Sequence, residues 1–165
     1  MTISFILPIR NEQKYISDLL YSILQQKTSN DYEIIIADGD SDDGTSEFLN
    51  TLLLETANLK IIHNSDRIVS TGFNLALNEA KGDVIIRVDG HCVISPDYLR
   101  EAHYKLANSL YQEGKYAESI DAFDAAIKLF PDHPHRNWSE FISADALKKI
   151  KNTPKATAQL NQLIK

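Results

Sequence analysis

Cysteine is almost missing from this 165-residue chain. Cys92 is the only one, so no intrachain disulfide forms and a disulfide-stapled secreted scaffold is excluded. A reducing compartment fits this usage. Tryptophan and methionine occur once each, proline five times and glycine six, and with 43% hydrophobic and 24% charged residues a globular, soluble chain is expected. No apolar run approaches the roughly 20 residues that cross a bilayer. The opening Met1-Thr2-Ile3-Ser4-Phe5-Ile6-Leu7-Pro8 lacks the charged start and cleavage site of a signal peptide. These features together predict a cytoplasmic protein with no transmembrane segment. Basic excess is lacking too. The net charge is −6 and no basic patch stands out, which argues against nucleic-acid binding by counterion release.

The charge that is present is unevenly spread. Residues 1–99 hold seven basic and fifteen acidic side chains, a net of −8; residues 100–165 hold ten and eight, a net of +2. Such asymmetry predicts two units, 1–99 and 100–165. An acidic unit that binds a phosphorylated ligand needs a cation to offset repulsion.

Four apolar runs rich in Ile and Val punctuate the first unit: Ile3–Leu7, Glu33–Ala37, Leu59–Ile62 and Val84–Val88. They barely alternate, which predicts strands buried on both faces, as in a parallel sheet. Helical spacing lies between them. Asn11 is placed to cap a helix with Ile16, Leu19, Leu20, Ile23 and Leu24 on one stripe. Thr45 or Ser46 opens a second helix with Phe48, Leu49, Leu52 and Leu53 inward. A third runs from Val69 to Ala80 and stops at Lys81-Gly82. This alternation predicts an α/β fold with a four-stranded parallel, Rossmann-like sheet of order 3-2-1-4. After Pro96 no strand-like run appears, and the chain reads as helices broken at Gly114, Pro131–Pro134 and Asn152–Pro154.

Ligands in open parallel sheets sit beyond the carboxyl ends of the strands. Those ends are polar here: Pro8-Ile9-Arg10-Asn11-Glu12, then Asp38 to Thr45, then His63, Asn64, Asp66 and Arg67, then Asp89-Gly90-His91. The ordered set Ile6-Leu7-Pro8-Ile9-Arg10-Asn11-Glu12, Ile35-Ile36-Ala37-Asp38-Gly39-Asp40-Ser41-Asp42-Asp43-Gly44-Thr45, Gly72-Phe73-Asn74-Leu75-Ala76, Ala80-Lys81-Gly82-Asp83 and Arg87-Val88-Asp89-Gly90-His91, closed by Ser95-Pro96-Asp97-Tyr98-Leu99, resembles the opening of a family 2 glycosyltransferase of the GT-A fold.

That resemblance implies a nucleotide-diphosphate-sugar donor. By it, Asp38 matches the acid that hydrogen-bonds the nucleobase, Pro8, Arg10 and Glu12 match the loop around the nucleoside, and Arg67 lies at a donor contact. Asp89 and His91 match the Asp-x-Asp signature that holds a divalent cation, Mg or Mn, on the diphosphate. His91 departs from that signature; members similar to exopolysaccharide transferases carry Asp-x-His. Mg²⁺ and Mn²⁺ prefer oxygen ligands, which bears on the cation. The resemblance stops near Leu99, so the acceptor half and its catalytic base are expected to be missing. The same residues admit plainer roles. Asp38, Ser41 and Asp43 suit a helix cap and turn, Asp89-Gly90-His91 a strand-end turn, Glu12 a first-turn acid, Arg67 a surface charge, Gly72 and Gly82 packing and turns, and Cys92 a small core residue.

In the second unit, Leu106, Ala107, Leu110, Gly114, Tyr116, Ser119, Phe123, Ala126 and Pro131 fall at the spacing of a tetratricopeptide repeat, which the segment resembles. A degenerate second repeat is expected, with helices near Trp138–Lys151 and Pro154–Ile164. The resemblance implies a protein or peptide partner on a face formed by Glu101, Tyr104, Asn108, Tyr111 and Gln112; a solvated helix face is the plainer reading. His133 and His135 read as a polar loop. About three repeats are needed for a stable stack, so this segment is expected to pack on the α/β unit, to dimerise or to remain frayed. Val84–Val88 would otherwise be an open apolar edge, which a homodimer also covers. Two functions are consistent with these residues: a donor-binding unit of a glycosyltransferase fused to an interaction module, or a non-catalytic adaptor or chimeric scaffold.

Overall fold

Seven consecutive residues of the first strand, β1 (Ile3–Ile9), are buried, so both of its faces lie inside. Such a strand needs neighbours on both edges and cover on both faces. It has parallel neighbours on both sides: β2 (Tyr32–Asp38), with Ile3 opposite Tyr32 and Ile9 opposite Asp38, and β4 (Val84–Arg87), with Ile3 opposite Val84 and Ile6 opposite Arg87. Outside β2 lies β3 (Leu59–His63), again parallel, so the order is β3-β2-β1-β4 as the sequence predicts. The computed structural model describes residues 2–26, 28, 31–54 and 56–163.

Three helices alternate with the strands: α1 (Ile16–Leu24), α2 (Thr45–Leu53) and α3 (Val69–Glu79). The apolar stripe of α1 buries Ile16, Leu19, Leu20 and Ile23. Ala76 of α3 is fully buried with Ile6, Ile35 and Ala37, and Phe73 packs at the margin of that cluster. Gly72 lets α3 approach closely, since a Cβ there would lie 2.9 Å from Asn64 Nδ2 and 3.4 Å from Ala37 and Pro8. One expectation fails at α1. Asn11 does not cap it; Tyr15 occupies the N-cap without a side-chain bond. Asn11 instead sits at φ 57° and turns its amide to the next loop, donating to Asp42 Oδ1 at 2.9 Å. Beyond β4 the chain returns to α1, where Ser22 Oγ accepts from the Ile94 amide (3.1 Å) and Gln26 Nε2 donates to the Ser95 carbonyl (2.8 Å).

The chain divides into two compact units, residues 1–95 and 96–165. The second consists of α4 (Tyr98–Gln112), α5 (Tyr116–Leu129), α6 (Arg136–Lys149) and α7 (Thr153–Leu163). Helices adjacent in sequence pack on one another. The expected helix end at Ile164 lies outside the described residues. Ile120, Ala146, Leu147 and Ala156 form a buried cluster flanked by Tyr111 and Tyr116. Gly114, at φ 77°, closes α4 in a conformation that side chains rarely adopt. No helix among the described residues is long and apolar enough to cross a membrane.

Candidate functional site

The carboxyl ends of β1 and β2 are joined by polar contacts between their loops. The Asn11 amide donates to Ser41 Oγ (2.9 Å), the Asp42 amide to Asn11 Oδ1 (3.0 Å), the Glu12 amide to Thr45 Oγ1 (2.9 Å) and the Gln13 amide to Asp43 Oδ2 (3.0 Å). Backbone donors of a loop need partners, and here each loop satisfies the other. Asp43 also accepts from the Thr45 amide and hydroxyl at the start of α2. Burial pushes the Asp43 carboxyl up, but the bonds from Thr45 and Gln13 outweigh it and hold the group below its ordinary value.

Asp38 ends β2 and is 7% exposed. Its Oδ1 accepts from the Ser41 hydroxyl (2.5 Å) and its Oδ2 from the Ser46 hydroxyl in the first turn of α2. A buried carboxylate with fixed donors has a fixed orientation. Asp38 and Ser46 border an open cavity of about 310 Å³ shared with Asn50, Leu53, Ile61, Ile62 and His63. Pro8 is buried in β1 opposite Ala37, and Arg10 is exposed with its Cβ beside Gly39.

Arg67 projects from the loop after β3 at φ 58° and pairs with Asp40, itself at φ 57°. Positive φ is costly for residues other than glycine, and such strain clusters at functional sites. Asn11, Asp40 and Arg67 all lie on this rim. The Arg67 bond and charge hold the Asp40 carboxyl below its ordinary value. Asn64 anchors the loop beneath: its amide donates to the Asp38 carbonyl (2.8 Å), its Nδ2 to the Ile68 carbonyl (2.9 Å), and its carbonyl accepts from the Arg67 amide (3.1 Å).

The turn after β4 brings Glu12, Asp89 and His91 to the same rim. His91 Nδ1 lies 3.5 Å from Glu12 Oε1, and a Cβ on Gly90 would fall 2.5 Å from Glu12 Cγ. Asp89 Oδ1 accepts from both Nε (3.0 Å) and Nη2 (2.8 Å) of Arg87. The expected divalent cation needs a concentration of negative oxygen ligands. Asp89 instead faces a guanidinium, His91 faces Glu12, and no group of three or more His, Cys, Asp or Glu side chains placed to hold a metal ion occurs among the described residues. This arrangement does not fit a divalent cation.

In the helical unit the five expected partner-face residues divide. Glu101, Tyr104 and Asn108 line a shallow cavity of about 110 Å³ with Lys105, His135 and Trp138. Tyr111 and Gln112 are not among its lining. Tyr104 donates to the Phe130 carbonyl (3.0 Å), and Tyr111 donates to Asp145, a bond that pushes the phenol up to about 12. His133 was expected in a polar loop, yet it is 3% exposed. It stacks on Tyr104 with ring centroids 4.1 Å apart and meets Glu101 Oε1 through Nε2 at 2.9 Å.

Sequence reasoning named Asn64 at this rim without a role and gave Ser46 and Arg87 no place in it. Ser46 lies eight residues beyond its partner, and Arg87 sits inside a run read only for its apolar neighbours. The polar position ending each run was the available signal.

A family model described as Glycosyl transferase family 2 matches residues 4–158. The succinoglycan biosynthesis protein ExoA of Rhizobium meliloti is 34% identical over 95 residues, which cover 56% of this chain and 29% of that protein. A crystal structure of S. aureus TarS in complex with UDP aligns with TM-score 0.54 and 29% identity, covering 62% of this chain and 31% of that one. The same protein in complex with UDP-GlcNAc aligns with TM-score 0.52 and 28% identity, covering 62% and 30%. The chain thus spans less than a third of the length of these relatives.

Proposed function

The chain belongs to glycosyl transferase family 2, and from that membership we propose that its α/β unit binds a nucleotide-diphosphate sugar at the rim formed by Pro8, Arg10, Glu12, Asp38, Arg67 and Asp89. One observation carries the reading: Asp38 is a buried carboxylate at the carboxyl end of a parallel strand, oriented by two serine hydroxyls and bordering an open cavity. A carboxylate so placed accepts from the N–H of a nucleobase, and an open α/β sheet presents ligands at this end. The UDP and UDP-GlcNAc complexes of the S. aureus relative support a uridine nucleotide first. The reaction served is glycosyl transfer, in which negative charge grows on the departing diphosphate; Arg10 and Arg67 supply positive charge to that region.

Calorimetry with UDP and GDP, on the wild type and on Asp38→Ala, tests this. Micromolar to millimolar UDP binding that weakens at least tenfold in Asp38→Ala is expected; equal binding by the two proteins, or none by the wild type, refutes it.

A second reading gives the helical unit a role of its own, as a tetratricopeptide-like module taking a peptide at Glu101, Tyr104 and Asn108. It is favoured by one observation, the half-exposed Trp138 beside that cavity. A chain acting in this way alone is an adaptor and binds no nucleotide, so the same titration separates the two readings.

A further inference from the structure

Three arginines, Arg10, Arg67 and Arg87, lie at the carboxyl ends of the strands among an excess of carboxylates, and one of them stands where the family resemblance puts a metal ion. Arg87 is fixed from two sides. Its Nε and Nη2 both donate to Asp89 Oδ1, at 3.0 and 2.8 Å, and its guanidinium lies 5.9 Å from the Phe73 ring centroid on α3. The side chain is still 50% exposed, and Nη1 takes no part in the bonds to Asp89. A guanidinium keeps its charge at any working pH and offers paired donors that match phosphate oxygens.

We propose that Arg87 replaces the divalent cation: it occupies Asp89 against metal and is itself the positive partner of the donor's diphosphate. The proposal rests on the donor-binding reading above. Electrostatics favours it over a metal-bound Asp89. A unit charge about 4 Å from a divalent ion costs about 2 kcal/mol even at the dielectric constant of water, roughly thirtyfold in that ion's affinity before salt screening reduces it. His91 adds no oxygen ligand, and its Nδ1 is turned to Glu12. Loss of the guanidinium should therefore have two opposite effects. Asp89 becomes a better cation ligand, and the diphosphate loses its partner.

The experiment uses the full chain as wild type, Arg87→Gln, Arg87→Lys and Asp89→Asn, with circular dichroism to confirm that each is folded. Manganese alone is titrated first, followed by electron paramagnetic resonance. Arg87→Gln is expected to bind Mn²⁺ about tenfold more tightly than wild type, and Asp89→Asn no better than wild type. UDP is then titrated in EDTA. Wild type is expected to bind, Arg87→Lys to weaken, and Arg87→Gln to lose at least tenfold and to recover part of it when Mn²⁺ is added. Equal Mn²⁺ affinity in wild type and Arg87→Gln, or UDP binding by wild type only with Mn²⁺, overturns the replacement while leaving donor binding intact. No UDP or GDP binding under any condition overturns the donor reading, and with it the diphosphate role, whatever the Mn²⁺ titration shows.

Discussion

Replacing Ser4 with alanine removes one oxygen atom from the middle of the sheet and should loosen the strand that carries Arg87. Ser4 is completely buried in β1. Its hydroxyl donates to Glu33 Oε1 on β2 (2.6 Å) and accepts from the Gly82 amide just before β4 (2.8 Å). Glu33 Oε1 also accepts from the Lys81 amide (2.7 Å). Three segments distant in sequence thus meet at one hydroxyl. Ser4→Ala leaves the Gly82 amide without this partner and takes a donor from Glu33, a loss of about 1–3 kcal/mol. For a unit of this size each kcal/mol moves Tm by about 4–8 °C, so a thermal melt resolves it readily. Amide hydrogen exchange should accelerate across Val84–Arg87 more than across β2. The effect also depends on pH. Burial pushes the Glu33 carboxyl up, but the Ser4 hydroxyl, the Lys81 amide and the charges of Lys81 and Lys60 outweigh it, and the group sits below its ordinary 4.5. A carboxyl depressed in the folded state adds stability above its unfolded value, and that stability is lost as pH falls through the folded value. Without Ser4 there is less to lose, so the gap in Tm between the two proteins should narrow from pH 7 to pH 3. A Tm unchanged by Ser4→Ala at pH 7, or a gap that widens toward acid, refutes the reasoning.

Gly90→Ala should act on binding and spare the fold. The new Cβ would fall 2.5 Å from Glu12 Cγ, so Glu12 must swing away from His91, while the Gly90 backbone itself is not in the left-handed region. A Tm within about 2 °C of wild type, with UDP affinity reduced severalfold, is expected; unaltered affinity contradicts it. Tyr111→Phe should cost about 1 kcal/mol at neutral pH through loss of the bond to Asp145. Because the Tyr111 phenol is raised to about 12, its contribution is complete below about pH 10 and is lost as pH rises through the folded value. The difference between Tyr111→Phe and wild type should therefore shrink above pH 10, and parallel melts from pH 9 to 12 would contradict that assignment.

The strands were legible because burial on both faces leaves a compositional mark. Apart from Ser4 and Glu33, Ile3–Leu7 and Glu33–Ala37 are wholly apolar, and β1 and β2 lie at the centre of the sheet. The polar ends of the same strands pointed to the rim. What could not be read were contacts made between loops. Asn11 has the chemistry of a helix cap, and local reasoning assigns it to α1; its partner is Asp42, some thirty residues on, and its backbone is left-handed. Arg87 was hidden for a related reason. In a run such as Val84–Val88 the eye reads the apolar majority, and the single charged residue gains meaning only once Asp89 and Phe73 stand beside it. His133 shows the converse error, a polar residue in a proline-flanked loop that is nonetheless buried, because Glu101 and Tyr104 meet it from α4.

The central position of β1 also sets a timetable for the chain's birth. Of these four strands, the one made before the others is the one that needs both neighbours, β2 and β4, and β4 begins at Val84, well after β2 has ended at Asp38. At a synthesis rate of about 5–20 residues per second, one edge of β1 waits roughly 2–9 s for its second partner. During that interval a ribbon of isoleucine, leucine and phenylalanine has an unmet row of amides and carbonyls, the state in which nascent strands are most prone to pair with the wrong chain. The rim can close only when this wait ends, since Asp89 and His91 follow β4 directly.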